Sequence, residues 1–436
     1  MHPTTGSSRK SRIVAVIAAA SAAAMLLAGC SSGSNGGNEK TTITLSMQQT
    51  DVKTGDPTTW SIVQAFEKKY PNITVTVTGQ PVAQHDQSIT VAAQSHTLPD
   101  IFWLNNASFG RNLTKSNALL DLTPMLKATG LTDKFPKQSL DAFKQGNVQF
   151  GVPYQALVTG FYVNKKLLSD NGLHVPTTFD ELLNVVTVLN AKGIVPIANG
   201  ANQSAYAVWS FLTMLDRFGY DSKIDDILAG KAKYNNPDFI AYYQAIQQLQ
   251  KAGAFASNVS TQTYNQAVTE YTNGKAAFLD SGVWAAAAIQ QSPAGSDTVF
   301  WNGPQFSNGV GNQNIAMDVV GAPLAVSGSL KSGSAQYDAV QKFIGFYYSD
   351  AGQQIFADNG QPPVTDATPK IPAKSTVLQS VLDGVKGKAT PRNQPDLYLT
   401  TAQQNVMYDS IWGVIEGQTT PQQAAASVQT ALDSGN

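Results

Sequence analysis

The residues of this chain that could do chemistry lack the partners that the common reactions need. Asp225-Asp226 is the obvious pair of carboxylates, and cleavage of a glycosidic bond uses two carboxyl groups roughly 5 to 10 Å apart. In DSKIDDIL, however, both read as the solvated edge of a helix. Gly328-Ser329, within AVSGSLKSGS, has no strand-to-helix elbow to raise a serine nucleophile and reads as a loop. Ser307 to Gly311 is glycine-rich without the Gly-Lys-Ser/Thr of a phosphate loop. The 4 histidines show no metal-ligand spacing, and the single cysteine, Cys30, rules out a disulfide and a cysteine-based metal site. The sequence thus predicts no cofactor and no metal. What stands at its expected strand ends is a set of rings and hydrogen-bonding groups: Gln48, Trp103, Asn199, Asp280 and Trp284. Such groups stack on apolar faces and bond hydroxyls. Each also has a plain structural role, as core ring, solvated amide or, for Asp280, helix cap.

Alternating strands and helices must position these groups. Ile43, Leu45 and Met47 alternate with polar residues as a strand. Asp56 then caps a helix with Pro57 at its first position and Trp60, Val63, Phe66 and Tyr70 as its buried stripe. Ile73, Val75 and Val77 follow as a second strand, completing a unit of the parallel-sheet kind. A helix from Val82 to Ser95 and a short strand from Asp100 to Leu104 come next. The stretch Gln149 to Asn164 reads as extended chain crossing between two regions, and Val310 to Val326 as a second crossing. Thr178-Phe179-Asp180-Glu181 is a capping box. Ile194 to Ala198 and Lys275 to Asp280 are strands. Helices are expected at Ser204 to Phe218, Pro237 to Ala252, Gln262 to Asn273 and Ala335 to Asp358, with a last one opening at Thr420-Pro421. The pattern defines α/β lobes, in which ligands bind at the carboxyl ends of strands. No repeat of 20 to 50 residues points to a solenoid or propeller.

Composition narrows the setting. Arg9, Lys10 and Arg12 precede an apolar run from Ile13 to Leu27, long enough for a secretory signal and shorter than the roughly 20 residues of a membrane span. The run closes on Leu27-Ala28-Gly29-Cys30, which resembles the lipobox of bacterial lipoproteins, so residues 1–29 are expected to be a signal peptide and Cys30 the lipidated N-terminus. Residues 30–40 form a Gly/Ser/Asn-rich tether. Removing the signal takes the net charge from -1 to about -4, which excludes a nucleic-acid-binding surface. Charged residues make up 14%, so the surface is polar but weakly charged. Two lobes are expected from the length: 41–150 with about 310–355, and about 151–309 with about 356–436.

In this order the strings FEKKYPNITVTV, LPDIFW, LLDLTPML, GVPYQALVTGFYVNKKLL, PTTFDELL and AAFLDSGVWAAA resemble the family 1 extracellular solute-binding proteins of carbohydrate ABC importers. The resemblance spans about residues 42 to 436. It implies a two-lobed periplasmic-binding-protein-like fold (type II), each lobe a mixed sheet flanked by helices, with the ligand in the cleft between. It also implies a receptor rather than an enzyme, expected as a monomer, that hands a mono- or oligosaccharide to an ABC permease and its ATPase on the extracytoplasmic face of the cell membrane. Trp284 matches a tryptophan on which the family stacks a sugar ring, and Tyr154 and Gln155 fall where the family draws ligand contacts from the first crossing. Gln361 replaces an aromatic residue of the family pattern before Pro362-Pro363-Val364, and Leu157 falls where the maltose-binding relative has a carboxylate. An amino-acid or peptide receptor is the main alternative, but of Arg111, Arg217 and Arg392 none falls on an expected strand-end loop. The tyrosine pairs Tyr242-Tyr243 and Tyr347-Tyr348 lie in helical stripes rather than at an iron site.

Overall fold

The computed structural model describes residues 40–202 and 204–435. The signal peptide, Cys30 and nearly all of the tether lie outside the described residues. Among the described residues twelve strands occur, in the order β1 (Thr41–Met47), β2 (Ile73–Gly79), β3 (Ile101–Trp103), β4 (Lys144–Gln145), β5 (Val148–Gln149), β6 (Gly151–Pro153), β7 (Ala156–Asn164), β8 (Val195–Ala198), β9 (Ala276–Gly282), β10 (Thr298–Trp301), β11 (Met317–Val320) and β12 (Pro323–Val326). They form two five-stranded mixed sheets and the small hairpin β4-β5. The first sheet has the order β2-β1-β3-β12-β6, parallel from β2 to β3 and antiparallel beyond. In the second, β10-β7-β9-β8, the long strand β7 pairs with β11 through its first half and with β10 through its second.

Local sequence dictates many element ends. Asp56 accepts a hydrogen bond from Thr59 N at 3.1 Å and caps the helix Pro57–Lys69, with Pro57 at its start. Capping boxes at Thr178 and Thr420 start the helices Phe179–Ala191 and Pro421–Asp433. The helix expected from Ser204 begins later, at Trp209, because Ser204 to Ala207 form a turn closed by Ala207 N on Ser204 O at 2.8 Å.

Both sheets are covered on two faces, as sheets with crossover helices must be. Phe102 and Ala325 face a small cluster with Ile89, Leu113 and Phe150. Ile101 and Trp103 point the other way into a core that runs past Tyr154, Ala156 and Val158 to Tyr162, Leu279 and Phe300 of the second sheet. The outer face of the second sheet packs Phe161, Val163 and Phe278 against the helices of the third cluster.

The chain passes between the sheets at Tyr154-Gln155 and again at Gly321-Ala322. Strand membership differs from the boundaries expected at 150/151 and 309/310: Gly151–Pro153 pairs in the first sheet and Met317–Val320 in the second. The reason is that the two crossings pair with each other. Tyr154 N donates to Ala322 O and Gly321 N to Gln155 O, both at 3.0 Å. Side chains fasten the same spot. The Tyr154 hydroxyl donates to the buried Asp56 carboxylate, and the Tyr347 and Tyr348 hydroxyls donate to the carbonyls of Tyr154 and Pro153 at 3.3 and 2.7 Å.

Candidate functional site

The end of β9 builds an aromatic shelf. Trp284, half-buried, lies in the turn after β9, and its Nε1 donates to Tyr264 Oη at 2.8 Å. That hydroxyl also meets Ser281 Oγ at 2.7 Å. The indole packs against Trp209 with ring centroids 4.8 Å apart, edge to face, and Trp209 packs in turn against Tyr264 at 5.2 Å. Tyr206 stands 5.8 Å from Trp209 and is 44% exposed, the outermost ring of the group. Gly282 is required here: a Cβ would sit 2.2 Å from the Trp284 ring, which folds back over the strand.

Asp280 and Asn199 meet behind this shelf. Asp280 is fully buried, and its carboxylate accepts from Ser210 N at 2.8 Å and from Asn199 Nδ2 at 3.3 Å. Burial, opposed by these bonds, pushes its pKa up to about 7.

A second group of polar residues gathers at the carboxyl ends of β1 and β3. Trp103 is buried, and the His85 ring meets it edge-on at 5.7 Å while His85 Nε2 lies 3.1 Å from Ser46 Oγ. Asp86 accepts from Asn105 Nδ2 at 3.0 Å, and burial raises its pKa to about 6. Its other oxygen, Oδ1, is buried without a donor among the described residues, as are Gln48 Oε1 and Gln361 Oε1. Gln361 follows Gly360, which rests against Ala287 on the helix after Trp284.

The structure thus brings Asn199, Asp280 and Trp284 together on the second sheet, keeps Gln48 and Trp103 on the first, and sets Tyr154 and Gln155 at the crossing between them. Sequence reasoning missed Tyr206, Trp209, Tyr264 and Asp86. Trp209 and Tyr206 were hidden inside an expected helix from Ser204, and Tyr264 inside one from Gln262. The signal that finds Tyr264 is the capping box Thr263 to Gln266, which puts that tyrosine at the first helical position. Among the described residues no group of three or more histidine, cysteine, aspartate or glutamate side chains is arranged to hold a metal ion, and no helix is long and apolar enough to cross a membrane.

Two mixed α/β sheets joined by paired crossings, with polar and aromatic groups at the strand ends of both, define a two-lobed solute receptor. The model of the bacterial extracellular solute-binding proteins matches residues 50–354, and the chain belongs to that family. It is a family of binding proteins that work outside the cytoplasm. The chain is 24% identical over 327 residues to a multiple sugar-binding protein of Streptococcus mutans, covering 71% of this chain and 72% of that one. It is 22% identical to the sn-glycerol-3-phosphate-binding periplasmic protein of Rhizobium meliloti, covering 87% and 86%. Among solved structures, a chitin oligosaccharide binding protein superposes with a TM-score of 0.80 at 23% identity, covering 91% of this chain and 98% of that one.

Proposed function

We propose that this chain is a receptor that captures a mono- or oligosaccharide between its two lobes and delivers it to an ABC permease and its ATPase, without transforming it. The observation that carries this reading is the aromatic shelf of Tyr206, Trp209, Tyr264 and Trp284. Rings present flat apolar surface to the C–H faces of a sugar, and the neighbouring amides and carboxylates bond its hydroxyls. The acceptor oxygens of Gln48, Asp86 and Gln361 suit a ligand rich in hydroxyl donors. The relatives named above that bind sugars favour the same class.

The lobes of this reading are 41–154 with 322 to about 363, and 155–321 with about 376–435. Ligand stabilises the closed arrangement by its differential affinity, and the crossings at Tyr154-Gln155 and Gly321-Ala322 serve as the hinge. Diacylation at Cys30, with the tether after it, holds the receptor as a monomer on the outer face of the cell membrane beside its permease.

A thermal-shift screen of sugars, amino acids and phosphate esters against the protein tests the assignment. Stabilisation by sugars alone is expected. Stabilisation only by amino acids or phosphate esters refutes the carbohydrate reading, and breakdown of a sugar during the assay refutes the absence of catalysis.

A further inference from the structure

The shelf is held from behind by one wholly buried carboxylate, and each bond that Asp280 makes leads to a ring. Ser210, which donates its backbone N–H to Asp280, is the second residue of the helix Trp209–Asp216. The preceding Val208 supplies no side-chain cap, so Asp280 serves the helix start from across the core. Asn199 bonds Asp280 through its amide nitrogen and accepts from Gly200 N at 2.8 Å through its oxygen. Gly200 lies so close to the next segment that a Cβ would come within 2.5 Å of Gln262 O and 2.7 Å of Thr263 O, and Tyr264 follows directly. On its own strand, Asp280 stands two residues before Gly282, over which Trp284 folds.

We propose that Asp280 is a positioning residue of the sugar site, a single carboxylate that fixes Trp209, Tyr264 and Trp284 relative to one another. The inference rests on reading the shelf as the ligand platform. Asp280 changes charge at about pH 7. Ionised, it accepts from both partners; protonated, it keeps fewer acceptor sites, and the longer bond to Asn199 is the one that loosens. Tyr242 on the helix Pro237–Lys251 and Tyr264 on the helix Tyr264–Thr272 face Asp280, and burial pushes both hydroxyls up, away from neutral pH. Asp216, at the far end of the Trp209 helix, is also pushed up by burial and faces Tyr242, so the comparison with Asp280→Asn is what assigns the transition. Sugar affinity therefore rises as pH climbs through about 7. Stability runs the other way: between the ordinary carboxylate range and about 7 the folded protein holds a proton that the unfolded chain has lost, so stability falls as pH rises across that window.

The test follows the near-ultraviolet circular dichroism of the coupled Trp209–Trp284 pair in the full chain on both sides of pH 7, with Trp284→Phe identifying the band. Maltose, raffinose and a chitin oligosaccharide are titrated calorimetrically in parallel. Wild type is expected to show the transition, and Asp280→Asn to lack it and to bind sugar about tenfold more weakly above it, with no pH dependence. Asn199→Ala, which keeps the bond to Ser210, is expected to lose part of the affinity and to shift the transition. An Asp280→Asn protein with the wild-type transition and affinity overturns the proposal. If that variant does not fold, absence of the transition in wild type, or its persistence unshifted in Asn199→Ala, overturns it instead. Failure of wild type to bind any of the three sugars counts against the carbohydrate reading alone, since the ring signal still decides the role of Asp280.

Discussion

At the scale of single residues, the site turns on how closely a ring can approach a backbone. Trp284 folds over Gly282, and its indole nitrogen is tied to Tyr264. Replacing Trp284 with Ala removes the half-exposed face of the shelf and is expected to weaken sugar binding by about 1–3 kcal/mol, measured by calorimetry, with the fold retained. Gly282→Ala is the sharper probe, because it leaves every ring in the chain yet places a methyl group where the indole lies. We expect it to reduce affinity by a similar amount and to alter the tryptophan fluorescence of the free protein. Unchanged affinity in both variants would remove this shelf from the binding site. Trp284 and Asp280 were legible in the sequence because both sit at a strand end marked by Ser281-Gly282. The use of Asp280 was not legible. A carboxylate four residues before a tryptophan reads as a ligand contact or a cap, and only the fold shows it facing Ser210 and Asn199, 70 and 81 residues away.

Between elements, the crossing is fastened by contacts that no local pattern announces. The Tyr154 hydroxyl donates to Asp56, which also caps the helix Pro57–Lys69, so one buried carboxylate ties the hinge to the first lobe's helix. Tyr154→Phe is expected to lower the free energy of unfolding by about 1–3 kcal/mol in denaturant titrations, since it leaves a buried acceptor oxygen without its donor. Burial raises the Asp56 pKa above its ordinary value. The folded state therefore holds that proton where the unfolded chain has released it, and its contribution to stability declines as pH rises above the ordinary carboxylate range. The capping boxes at Thr178 and Thr420 were legible because a cap is written within four residues. The start of the Trp209 helix was misplaced for a complementary reason: Ser204 to Val208 carry residues compatible with a helix, and the turn they form is decided by Ser204 and the strand-end loop beside it.

For the molecule as a whole, the two sheets share one continuous core through the crossing, while their strand-end groups remain on separate lobes. Closure around a sugar predicts a smaller radius of gyration on ligand addition, measurable by solution X-ray scattering; an identical scattering profile with and without bound sugar would contradict hinge bending. Cys30→Ala is expected to release the protein from the membrane fraction, and full retention there would contradict anchoring through that residue. The α/β class was legible from alternating strands and helices, and the two lobes from the length of the chain. The sheet order was less so, because β11 and β12 are consecutive four-residue strands that belong to different sheets, and hydrophobicity alone does not tell them apart.

The placement of β12 bears on how such a chain is made. It lies between β3 and β6, so the first sheet cannot be completed until residues 323–326 have been synthesised, after the strands of the second sheet have appeared. Contacts this distant in sequence form slowly. Through most of synthesis β3 therefore lacks its outer neighbour, and the order of assembly is set by the return of the chain to the first sheet at β12.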